Sequence, residues 1–171
     1  MDKEYQGQVF LSEYITSLQE NFEELNTLID NFKKYWRTGY HHDFGKDVPF
    51  HDPSNIRKSS VRHVHLIPIA ITADDERRWL NPFSQIDHTK RPASNRWLAY
   101  CVGDNRDCCL LAYLKDNAHF LARQGHIVGL LIDSAEAFFD DLGIYPLDEY
   151  EQSSLFEDKW HKPLPSIQVI K

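Results

Sequence analysis

The sequence predicts an α+β domain, a small and mostly antiparallel sheet with helices packed on it. Three observations predict it. Two runs, RWLAYCV (96–102) and CCLLAYLK (108–115), are apolar on both faces and separated only by GDNRD. That pattern describes an antiparallel hairpin covered on both sides. Phe22, Leu25, Leu28, Ile29, Phe32 and Trp36 recur at helical spacing before Gly39, the mark of an amphipathic helix with a glycine stop. A second helical stripe, Ile127, Leu130, Leu131, Ser134, Phe138 and Leu142, runs to Gly143.

The remaining elements follow in chain order. QVFLSEYI (8–15) alternates well enough for a first strand. Asn21 with Glu24 resembles a capping box for the first helix. Residues 40–60 are polar and Pro-bearing and read as a loop. VRHVHLIPI (61–69) is β-branched and predicts a strand that leaves its sheet near Pro68. A short helix is expected over 73–80, then a loop to the hairpin. From Asn117 the chain turns helical, with Gly125 as an interruption. The domain is expected to span 1–143. Residues 144–171 are acidic, then Pro-rich, and read as a C-terminal extension, either laid over the domain or a partly disordered tail.

Apolar content of 42% supports a real core in 171 residues. No apolar run approaches bilayer length, and the N-terminus lacks a secretion pattern. Three cysteines, two of them adjacent, do not make a disulfide framework. A reducing, cytoplasmic setting is therefore expected. The net charge of −7 argues against simple nucleic-acid binding, but its distribution is uneven. Residues 1–31 hold one Lys and seven acids, residues 32–123 fifteen Lys/Arg and ten acids, and residues 133–158 nine acids and no base. A basic middle lies between acidic ends, which suits either plain solvated surface or an anion-binding centre.

The chemistry-bearing residues lie in that middle. In LKDNAHFLAR (114–123) a strand ends, helix-starting residues follow, and His119 and Arg123 come four residues apart. On one helical face near an N-terminus, they would hold a phosphate and exchange a proton. His63 and His65, two apart on a strand, share a face. Such a pair suits acid–base work, or a metal if a third ligand joins them. No convincing third ligand accompanies them, so no metal is assigned. Lys46 in HHDFGKD and Lys90, Arg91 and Arg96 in TKRPASNR add cations at loops flanking the same sheet. No Ser–His–Asp order, phosphate loop or dinucleotide fingerprint is present.

Five blocks in register resemble one family. They are NFKKYWRTGYHHDFGKD, VRHVHL, Arg91 ten residues before Cys101 of LAYC, LLAYLKDNAHFLAR, and SAEAF (134–138), and the likeness runs from about residue 8 to 139. The chain resembles the YafO family of bacterial type II toxins, the ribosome-dependent mRNA interferases. The resemblance implies a RelE-like fold and an endoribonuclease that enters the ribosomal A site and cuts mRNA. It also implies neutralisation by a cognate antitoxin and no metal or organic cofactor. The family pattern carries over to Gly45, Lys46, Asp47, His63, His65, Arg91, His119 and Arg123. With it, His119 is read as acid or base and His63 or His65 as the second proton carrier. Arg91 and Arg123 are read as phosphate ligands, with Lys46, Lys90 and Arg96 as further RNA contacts. The rival readings are a non-catalytic protein- or ribosome-binding module and a metal hydrolase built on His63 and His65. Two features depart from the family, the acidic extension and the acidic overall charge.

Overall fold

The structure is a computed structural model and describes residues 3–163. Its centre is a five-stranded sheet, β1 (Val9–Leu11), β2 (Phe44–Pro49), β3 (Val61–Leu66), β4 (Trp97–Val102) and β5 (Cys108–Leu114), in the order β1-β5-β4-β3-β2. β2 through β5 are antiparallel, and β1 joins β5 in parallel. The α+β class and the mostly antiparallel sheet agree with expectation and with a RelE-like fold.

Helices α1 (Glu13–Leu18) and α2 (Glu23–Thr38) follow β1. The expected strand over 8–15 stops at Leu11 because Ser12 caps α1, its Oγ accepting from the Ile15 amide at 3.2 Å. The expected box at Asn21 and Glu24 does not form; α2 starts after Phe22 without a side-chain cap. Gly39 ends α2 at φ 83°, the left-handed turn that glycine takes without strain.

Residues 40–60 are more ordered than a loop. They hold β2 and the short helix α3 (Ser54–Lys58). FGKDVP is a poor strand by composition; tertiary pairing with β3 overrides that. Gly45 is required here, because a Cβ would lie 2.1 Å from the Pro92 carbonyl oxygen and against Trp79. The long β3–β4 connection carries α4 (Ala73–Trp79), capped reciprocally by Thr72 and Asp75, and α5 (Phe83–Ile86). After β5 come the four-residue α6 (Ala118–Leu121) and α7 (Gly125–Leu142). The expected interruption therefore occurs over residues 122–124.

Two apolar layers hold the sheet. α2 packs Leu25, Leu28, Phe32 and Trp36 on one face, with Val64, Leu66, Leu98, Tyr100 and Leu110. α7 packs Val128, Leu131, Ala135 and Phe138 on the other, with Val61, Trp97, Ala99, Cys101 and Leu111. Period-two alternation along β3 thus sends Arg62, Val64 and Leu66 to the α2 face and Val61, His63 and His65 to the α7 face.

Ile144 still packs on the α7 layer; residues 147–163 are then laid over the α2 face, where Leu147, Leu155 and Trp160 enter its core. The rest of the extension, 164–171, lies outside the described residues. Arg106, at the tip of the β4–β5 turn, clamps this strap although its own side chain is fully buried. Its guanidinium donates to the carbonyls of Leu155 (2.7 Å), Trp36 (3.0 Å) and Gln6, and lies 4.0 Å over the Trp36 ring. Burial brings its pKa down to about 10, so it stays charged at neutral pH. Among the described residues, no helix is long and apolar enough to cross a membrane.

Candidate active site

β3 and β4 pair so that His65 lies opposite Trp97 and His63 opposite Ala99. The Trp97 ring becomes the hub of three imidazoles. It stacks on His63 at 3.8 Å and 20° and meets His119 edge-on at 4.6 Å. Its Nε1 lies 3.0 Å from His65 Nδ1. The His65 and His119 ring centroids are 6.0 Å apart. The three histidines singled out from the sequence therefore come together on the α7 face, at the end of the sheet where β3 and β5 finish.

Their environments differ. His63 is 8% exposed, wedged between Phe50 and Trp97, and its Nδ1 has no partner. Burial, reinforced by the neighbouring His65, pushes its pKa down to about 3. His65 is 4% exposed. Its Nδ1 lies 2.7 Å from the Ser94 carbonyl oxygen and 2.9 Å from the Ser94 amide nitrogen, which leaves Nε2 for other work. Burial lowers its pKa as well, and His119 and Lys46 push the same way. His119 is the exposed ring of the three.

The lowered His63 pKa sets an acid limit on the fold. The unfolded chain takes up a proton at about the ordinary value of 6.5, while the folded chain refuses it until about pH 3. Stability is therefore complete above pH 6.5 and falls as pH drops toward 3. Urea midpoints measured between pH 7 and pH 4 should fall with pH, and His63→Phe should flatten that fall.

The helix-terminus phosphate site expected at 116–119 does not form. Asn117 has positive φ and makes no side-chain cap. The amides of Ala118 and His119 instead donate to the Asn95 carbonyl (3.2 Å) and to Asn95 Oδ1 (3.0 Å). Arg123 lies beyond α6, exposed and without an ion pair among the described residues. Lys46 is exposed on β2, in the irregular stretch between Phe44 and Asp47, and its charge helps to lower the His65 pKa.

The other cations are held elsewhere. Arg91 is 3% exposed on the α2 side of the sheet. It donates to the carbonyls of Gly39 (2.9 Å) and Ser84 (3.2 Å) and lies over Tyr35 and Tyr40. It is not brought to the imidazoles, because the β3–β4 connection crosses to the α2 side before returning. Arg96 is likewise consumed, by the Tyr113 hydroxyl (2.8 Å) and the Ile67 carbonyl (2.7 Å). Lys90 lies 3.9 Å from Asp87 on the surface.

Sequence reading missed two features. In the sequence Trp97 reads only as a strand residue; its place opposite His65 follows from β3–β4 register. The second is a buried charge network on the α2 face. Asp47 accepts from the Tyr35 and Tyr100 hydroxyls, both at 2.6 Å, and from Arg62 Nε at 3.1 Å. Burial is the largest influence and opposes the Arg62 charge, but Asp47 together with Tyr100 and Tyr35 outweighs it and the arginine pKa rises. A cleft of about 700 Å³ opens beside this network, between β2 and the C-terminal strap, with Lys46, His88 and Arg91 in its wall.

A family model described as Toxin YafO, type II toxin–antitoxin system, matches residues 30–140. No curated protein and no solved structure matches the chain. The matched span contains β2 through β5, Trp97 and all three clustered histidines, and it covers well over half of the chain. The chain belongs to the YafO family, the ribosome-dependent, mRNA-cleaving toxins of type II toxin–antitoxin pairs.

Proposed function

We propose that the imidazoles around Trp97 are the cleavage centre of this toxin, with His119 and His65 as its two proton carriers. The supporting observation is that one indole, at the end of the sheet, touches all three rings. Metal-free RNA cleavage asks for a base on the 2′-OH, a cation at phosphorus and an acid for the leaving 5′-oxygen. His65, neutral at pH 7 because burial lowers its pKa, takes the 2′-OH proton. The 2′-oxygen attacks phosphorus and the bond to the 5′-oxygen breaks. His119, the exposed ring, supplies the proton that the 5′-oxygen gains. Lys46 and Arg123 lie free to meet the phosphodiester. His63 supports Trp97 from below and stays out of proton transfer, since it remains neutral to about pH 3. Arg91 and Arg96 position the β3–β4 connection, and Lys90 is a surface charge.

Lys46 and Arg123 alone are few cations for gripping RNA. That poverty, with acidic ends, suits an enzyme whose mRNA is presented by the ribosome in its A site. A cognate antitoxin would neutralise it. Residues 1–143 form the catalytic domain on this reading, and the described part of the extension, from residue 147 to 163, is a strap on the face away from the histidines. The test is the chemistry of the ends. Translating ribosomes treated with the protein should yield mRNA fragments with 2′,3′-cyclic phosphate and 5′-hydroxyl ends. Fragments with 5′-phosphate ends, or undiminished cleavage of mRNA carrying a 2′-deoxynucleotide at the cut site, would refute the 2′-OH mechanism.

A further inference from the structure

We propose that His41, His42 and Asp43 form a binding site for a divalent transition metal of the Zn²⁺ class, separate from the cleavage centre. Their candidate ligand atoms all lie within 4.8 Å of one another. His42 Nε2 is 3.1 Å from Asp43 Oδ1, and His41 Nδ1 is 3.8 Å from Asp43 Oδ2. Ligands about 2.0 Å from a tetrahedral zinc are about 3.3 Å from one another, so small side-chain movements close the set. The two imidazoles stack at 4.5 Å and 23°, which brings both ring edges to the same carboxylate.

The surroundings favour a cation. Among the described residues Asp43 has no Lys or Arg ion-pair partner; its only such contacts are the two histidines. Asn31 of α2 donates to Asp43 Oδ2 at 2.7 Å, the kind of outer hydrogen bond that orients a ligating carboxylate. The Ile67 amide donates to the Asp43 carbonyl at 2.9 Å and fixes the backbone. Binding at His41 Nδ1 would exchange the 3.2 Å bond from the Asp43 amide for a metal bond. Glu76 of α4 lines the same cleft as His42 and Asp43 and makes no ion pair among the described residues. It or a water supplies the fourth ligand. Two imidazoles and carboxylate oxygen select zinc, cobalt or nickel over magnesium and calcium.

The site sits on the α2 side of the sheet, beside Phe44. A metal there would tie the end of α2, the start of β2 and α4 together, and would take no part in RNA cleavage. The test is calorimetric titration of the metal-stripped full-length protein with Zn²⁺, followed by thermal melts. One zinc per chain should bind and raise the melting temperature. His42→Gln, at a half-exposed side chain, and Asp43→Ala should each weaken binding at least tenfold, while His63→Phe and His65→Ala leave it unchanged. Co²⁺ should give a visible spectrum without thiolate charge transfer. Absence of binding at micromolar Zn²⁺ would overturn the proposal. So would binding that survives His42→Gln, or that is lost instead with His63 or His65. None of these readouts depends on nuclease activity, so the cleavage reading stands or falls separately.

Discussion

His119→Ala lowers ribosome-dependent cleavage by about 10²-fold or more, and growth arrest disappears with it. General acid–base help is worth roughly two to four powers of ten. His119 is exposed and its backbone amide, not its ring, carries the hydrogen bond to Asn95. Removing the ring therefore leaves the α6 connection in place, and melting should change little. The check is single-turnover cleavage on programmed ribosomes alongside a thermal melt. Full cleavage in this variant would remove His119 from the chemistry. Cleavage lost together with stability would make it a packing residue.

Asp47→Ala, in contrast, acts through the fold. Its carboxylate is the acceptor for two buried tyrosine hydroxyls and for Arg62, whose side chain is also buried. Truncation leaves an uncompensated guanidinium and two unpartnered hydroxyls in the interior, a loss of about 3–5 kcal/mol. For a chain of this length that is a fall in melting temperature on the order of 10 °C. Arg62 also donates to the Gln152 carbonyl at 2.7 Å, so the C-terminal strap should loosen as well. Because a buried ion pair contributes little net stability against apolar replacements, Asp47→Leu combined with Arg62→Met, Tyr35→Phe and Tyr100→Phe should recover much of the loss. If Asp47→Ala melts like the parent yet fails to cleave, Asp47 belongs to the reaction and not to the scaffold.

The parts of this protein legible in its sequence are those governed by short-range periodicity. The all-apolar β4 and β5 with a five-residue turn could only be a covered hairpin, and the α2 stripe could only face a sheet. Alternation alone put His63 and His65 on one face. The strand–helix junction at 114–119 carried His119 to the same end of the sheet. What failed depends on how distant segments cross. Arg91 and His119 flank the same hairpin in sequence, but a connection of some thirty residues crosses to the α2 side and buries Arg91 against Gly39. β2 hid because its inward residue is a charge, Asp47, whose burial only Arg62 and two tyrosines on other elements make tolerable. Arg106 lies in the five-residue β4–β5 turn. Its burial is set by carbonyls from distant segments, Gln6, Trp36 and, about fifty positions later, Leu155 of the strap. The helix-terminus phosphate site failed for a local reason, since Asn95 already occupies the amides that would have received the anion.

The central claim is that His65 and His119 work as one proton-transfer unit around Trp97. Single-turnover cleavage rates for His65→Ala, His119→Ala and the double variant test it most directly. Groups that act as a unit are strongly non-additive, so the double variant should be about as slow as the slower single one. Multiplied losses, or a single variant that cleaves at the parent rate, would contradict it.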